Sequence, residues 1–132
     1  MKKYILITIL MLSALSILTG CPDSVEEPTI SCGNLSDQNI HLHYTYDANN
    51  LLPENKEHLG EVLYSKPNGR NWKMIYVNTE YDSIYISLLN GDTVNTYSWE
   101  VVREKDMILK RYRLSTKEKE LKKINFTLEY KK

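Results

Sequence analysis

Cysteine is scarce in this 132-residue chain: only Cys21 and Cys32 occur. At most one internal disulfide is possible, which excludes a small scaffold stapled by several bridges. An excess of either charge is also missing, with 17 Lys and Arg against 17 Asp and Glu. No basic cluster or arginine-rich stripe stands out, so no nucleic-acid partner is expected. Glycine is sparse, with four residues after Gly20. None sits in a phosphate-cradling loop or a G-x-S-x-G elbow, and no H-E-x-x-H or C-x-x-C motif occurs. No cofactor is therefore expected. Alanine almost vanishes beyond residue 20, where Ala48 stands alone among nine tyrosines, both tryptophans and many Ile, Val and Thr. This composition favours strands over helices.

A long apolar span is absent too. The longest apolar run, Tyr4 to Leu18, has 15 residues and follows Lys2 and Lys3. A membrane-crossing helix needs roughly 20. A shorter run behind lysines has the form of an export signal. It ends in Leu18-Thr19-Gly20-Cys21, which resembles the lipobox of bacterial lipoproteins. The resemblance implies lipidation of the Cys21 thiol, cleavage before Cys21 and acylation of the freed amine. Each buried methylene contributes about 0.8 kcal/mol, so several chains hold a domain durably at a membrane.

The sequence thus divides into a signal (1–20), a lipidated cysteine with an acidic tether (21–28) and one domain (29–132). The tether carries Pro22, Asp23, Glu26, Glu27 and Pro28. Its seven residues after Cys21 reach roughly 22 Å when extended. An acidic stretch at this point resembles the surface-export signals of Bacteroidota lipoproteins. Removing residues 1–20 takes away two lysines and no acid, leaving 15 basic against 17 acidic residues and a net charge of −2. With Cys21 lipidated, Cys32 has no partner in its own chain and reads as a buried small hydrophobe.

Along the domain, Thr29–Cys32 reads as a short strand. Asn39–Tyr46 alternates, with Ile40, Leu42, Tyr44 and Tyr46 on one side and His41, His43 and Thr45 on the other. Asp47–Gly60 reads as a loop or one to two helical turns. Glu61–Ser65 and Trp72–Asn78 read as strands joined by the turn Lys66-Pro67-Asn68-Gly69. Ser83–Leu89 is apolar on both faces, as a central strand is. Thr93–Glu104 has helical spacing, with Asp92 or Ser98 as caps. Met107–Leu114 is a strand. Ser115-Thr116-Lys117-Glu118 matches a capping box that opens a helix to Lys123, with Leu121 and Ile124 inward. Ile124–Tyr130 closes the chain as a strand, and Lys131 and Lys132 discourage edge pairing. The expected fold is mainly β, a small sandwich of six or seven strands with one or two short helices. The alternative is an α+β sheet with helices on one face.

The carboxy-terminal third resembles a group of small Bacteroidota lipoproteins with no assigned activity. The likeness rests on Tyr97-Ser98-Trp99-Glu100, Ile108-Leu109-Lys110-Arg111-Tyr112, Leu114-Ser115, Leu121, Ile124-Asn125-Phe126-Thr127 and Tyr130. The chain departs at Arg113, where relatives often carry an acid, and at Lys131, where they carry proline. The resemblance implies an outer-membrane address, facing the periplasm or the cell surface, and no particular chemistry.

Three constellations are candidate sites. His41 and His43 leave one strand face together, as a metal site requires, with Glu54, Glu57, His58 or Glu61 as further ligands. Trp72, Trp99 and some tyrosines offer flat rings to a sugar or a protein loop. Asp23-Ser24-Val25, Asp82-Ser83-Ile84 and Asp92-Thr93-Val94 resemble the Bacteroidota O-glycosylation pattern, making Ser24, Ser83 and Thr93 candidate sites. The functional expectation is a lipid-anchored envelope module that binds a protein or glycan without catalysis. The alternative is a small hydrolase or metal-dependent enzyme using the His41/His43 face.

Overall fold

Seven stretches of alternating or wholly apolar sequence become strands in a computed structural model that describes residues 27–65 and 71–131. They are β1 (Thr29–Asn34), β2 (Ile40–Thr45), β3 (Val62–Leu63), β4 (Trp72–Tyr76), β5 (Ser83–Asn90), β6 (Lys110–Ser115) and β7 (Thr127–Tyr130). Three six-residue helices join them: α1 (Gly91–Thr96), α2 (Trp99–Glu104) and α3 (Glu118–Lys123). The protein is mainly β, a small sandwich of two sheets.

The first sheet has the order β4-β1-β7, with β1 antiparallel to β4 and parallel to β7. The second is wholly antiparallel, in the order β3-β2-β5-β6. Period-two alternation aims Ile30, Cys32 and Ile75 of the first sheet at Ile40, Leu42, Ile84, Ile86 and Leu88 of the second. All are buried, and Leu121 of α3 joins them. Asn34, fully buried at the end of β1, stitches the sheets together. Its Nδ2 donates to the Leu63 carbonyl of β3 at 2.9 Å, and its Oδ1 accepts from the Ser36 amide at 3.0 Å.

A second, smaller core lies behind the second sheet. There Leu89 of β5 packs with Leu52, Val94 and Val102, flanked by Leu59 and Trp99. The apolar residues on both faces of β5 are thus explained: one face meets the first sheet, the other meets the 47–60 strap and the first two helices. The helical cover expected of the alternative α+β fold exists, as a third layer on the sandwich.

The structure departs from local sequence pattern at four points. More helices form than the one or two expected, because Thr93–Glu104 breaks at Tyr97–Ser98 into α1 and α2. Asn90, not Asp92, caps α1, its Oδ1 accepting from the amides of Asp92 at 2.7 Å and Thr93 at 3.3 Å. Ser98 does cap α2, accepting from Val101 at 3.4 Å. The capping box at Ser115 does not form. Ser115 ends β6, Thr116 is buried with its hydroxyl on the Tyr81 carbonyl, and α3 begins at Glu118 without a side-chain cap. Finally, Ile124 is 37% exposed, and the last strand starts only at Thr127. Asn125 and Phe126 adopt left-handed φ of 54° and 51°. That turn ends α3 and sets the Phe126 ring against the main core.

The strands expected on either side of Lys66–Gly69 both form but belong to different sheets, so that connection carries the chain across the sandwich. The turn itself lies outside the described residues. No helix among the described residues is long and apolar enough to cross a membrane.

Candidate binding surface

The two sheets treat their outer faces differently. In β4 the alternation puts Ile75 inward and Trp72, Met74 and Tyr76 outward, 46%, 53% and 66% exposed. Next to this row, in register, stand Gly33, Ser31 and Thr29 of β1. Gly33 leaves room for the Trp72 indole, which a Cβ there would meet at 2.6 Å. Beyond β1 come Thr127 and Glu129 of β7. No element among the described residues covers this face. The result is a shelf of small, mostly uncharged side chains edged by a row of large ones about 14 Å long.

At the Tyr76 end the shelf meets a tyrosine cluster. Inward-facing residues of β2 leave the core as the strand proceeds: Ile40 and Leu42 are buried, whereas Tyr44 is 40% exposed. Tyr46 stacks on Tyr81 with ring centroids 4.5 Å apart, and Tyr44 meets Tyr46 edge-on at 6.5 Å. The Tyr46 hydroxyl accepts from the Asn78 amide at 2.8 Å, fixing the stack beside β4. Burial pushes the Tyr46 hydroxyl above its ordinary pKa, with the charges of Tyr44, Glu27 and Tyr81 adding in the same sense. The chain also enters the domain here, since the Val77 amide donates to the Pro28 carbonyl at 2.8 Å.

The expected tryptophan pair is not brought together. Trp72 lies on the open face, whereas Trp99 belongs to α2 and packs against the second core. Its Nε1 donates to the Pro53 carbonyl at 3.0 Å, so its polar tip is already engaged. The tyrosines were the stronger signal, visible as Tyr44 and Tyr46 sharing a face in β2. What the sequence did not show is where the core under that face ends.

His41 and His43 do share a face, the one turned to the strap, opposite Leu89 and Ser87 of β5. Both are half-buried, and burial lowers both pKa values below the ordinary 6.5. Lys56 pushes His41 further down, while the Gly60 carbonyl opposes the shift. His41 Nδ1 is buried with no partner among the described residues. Glu54, Glu57, His58 and Glu61 do not join the histidines: no group of three or more His, Cys, Asp or Glu able to hold a metal occurs among the described residues. Glu61 is instead paired with Lys73 at 2.6 Å. Ser87, the hydroxyl opposite His43, is buried and donates to the Leu51 carbonyl at 3.3 Å.

Of the modification candidates, Ser83 opens β5 half-buried, its Oγ accepting from Arg113 Nε at 3.4 Å. Thr93 sits in the first turn of α1, partly buried. Ser24 and Cys21 lie outside the described residues. Cys32 is a buried free thiol on the inner face of β1, its pKa pushed up to about 12 by burial.

No protein-family model matches the chain, and no curated protein or solved structure is significantly similar to it.

Proposed function

We propose that the chain is a lipid-anchored cell-envelope module that binds a protein or glycan through the outer face of its three-stranded sheet and catalyses no reaction of its own. One observation carries this reading: Trp72, Met74 and Tyr76 form an exposed row on a sheet face that nothing among the described residues covers. Large apolar and aromatic side chains in a contiguous patch mark interaction sites, and tyrosine and tryptophan combine apolar bodies with polar tips. Lipid on Cys21 would hold that face near the membrane, and a net charge of −2 keeps nucleic acid an unsuitable partner. Less supports hydrolysis or metal-assisted chemistry at His41 and His43: the Ser87 hydroxyl opposite His43 is buried and bonded, and no third metal ligand joins the two histidines among the described residues.

Two measurements test the reading. Mass spectrometry of the native protein should find acylated Cys21 as the first residue, and material beginning upstream of it would remove the anchor. Crosslinking in the producing cells should give discrete adducts that are retained in Leu109→Glu and lost in Met74→Glu. Leu109 is a second exposed apolar residue, away from the shelf. Identical adducts from wild type and Met74→Glu would exclude this face.

A further inference from the structure

The tyrosine cluster beside the shelf is flanked by four acids, and by Arg113, which bonds Ser83, and Lys117, which follows Thr116. Glu27 precedes β1, Asp47 follows Tyr46, and Glu80 and Asp82 bracket Tyr81. All four are exposed, and none takes part in the five ion pairs among the described residues. Tyr76 and Tyr81, 66% and 49% exposed, stand among them with Tyr44 at 40%. Two of the rings are held in place: Tyr46 is hydrogen-bonded to the Asn78 amide and stacked on Tyr81, and the Tyr81 carbonyl accepts from the Thr116 hydroxyl. For Tyr46 and Tyr81, little side-chain entropy remains to be lost when a ligand lands on them.

Resting on the reading of the chain as a binding module, we propose that this end docks a lysine- or arginine-bearing segment of a partner protein. Ring faces attract cations through their quadrupoles, and unpaired carboxylates around them add attraction of the same sign. A bilayer with anionic lipid would be repelled by the same four acids, although the tether brings this end close to the membrane. A neutral glycan would use the rings but leave the carboxylates without a role. Docking beside the tether would also place the partner between the domain and the membrane that holds it.

The test uses the full chain in detergent and a fluorescent lysine-rich peptide, followed by anisotropy at low and high salt. The expected result is binding that weakens about tenfold or more at high salt. The same peptide with acetylated lysines should not bind. The variant Glu80→Gln/Asp82→Asn removes two of the charges, keeps every ring and should weaken binding about fivefold or more. Tyr81→Ala should abolish it, with circular dichroism confirming that the variant is folded. Equal binding of the acetylated peptide, an unchanged affinity in the charge variant, or no binding at all would overturn the proposal. Binding of maltohexaose competing with the peptide would overturn it in favour of a glycan. Failure here leaves the Met74→Glu crosslinking result untouched, so the two readings fail separately.

Discussion

The two sheets are built from similar strands yet lead different lives. In the four-stranded sheet the central strand β5 is buried on both sides, by the opposite sheet and by the strap with α1 and α2. The three-stranded sheet is buried on one side only. The difference teaches where stability and availability divide in a small domain. Apolar area on the covered face contributes to folding, at roughly 25 cal/mol per Å² removed from water. The same kind of area on the bare face contributes little and stays available to a partner.

Truncation on the two outer faces should separate them most. Leu89→Ala, in the second core at 0% exposure, should lower unfolding free energy by about 3 kcal/mol. Met74→Ala on the shelf should change it by less than about 0.5 kcal/mol. Urea denaturation of the two variants checks this, and similar losses would mean that the shelf is covered after all.

The strap itself offers the next contrast. A Cβ on Gly60 would lie 1.9 Å from the Leu42 carbonyl oxygen, a backbone atom that cannot swing aside. Gly60→Ala should cost about 2 kcal/mol and loosen the strap from β2. At Gly33 the obstacle is the Trp72 ring, a side chain at the surface. Gly33→Ala should cost less, about 1 kcal/mol, and should show as a changed tryptophan emission.

Acid should act on the covered face alone. A histidine with its folded pKa below the ordinary value binds fewer protons folded than unfolded, so folding releases protons. The stability it contributes is complete above 6.5 and is lost as pH falls from there towards the folded pKa. Hydrogen exchange should therefore show earlier opening of residues 51–60 than of β1 and β4 on acidification. His41→Gln/His43→Gln should flatten that difference. Equal acid sensitivity in both sheets would point to another titrating group.

The smallest effect concerns Cys32. With its pKa pushed up to about 12 and its side chain between the sheets, it should stay unmodified by iodoacetamide at neutral pH in the folded protein. Reaction should begin only in denaturant, and at no greater rate in Met74→Ala.

Period and polarity made much of the fold legible. Ile40 and Leu42 against His41 and His43 gave β2 its two faces, and the doubly apolar Ser83–Leu89 marked the central strand. What local pattern missed was decided between distant segments. Ser115 has the chemistry of a helix cap, but pairing with Ser83 holds it in a strand. Ile124 has the right spacing to face inward, but the left-handed turn at Asn125 and Phe126 rotates it out. For the candidate surface, the sequence supplied the rings without saying which would be exposed.

By itself, then, the chain's composition and periodicity determined that it forms strands, that Cys32 could pair with no cysteine of its own chain other than Cys21, and which side chains share a strand face. Only the tertiary structure decided that β3 and β4 separate into different sheets, that Trp99 packs inward while Trp72 does not, and that four tyrosines meet where the chain enters the domain at Pro28. The reason is physical. A strand's two faces follow from backbone geometry that any few residues carry, whereas burial depends on which other surface arrives to exclude water.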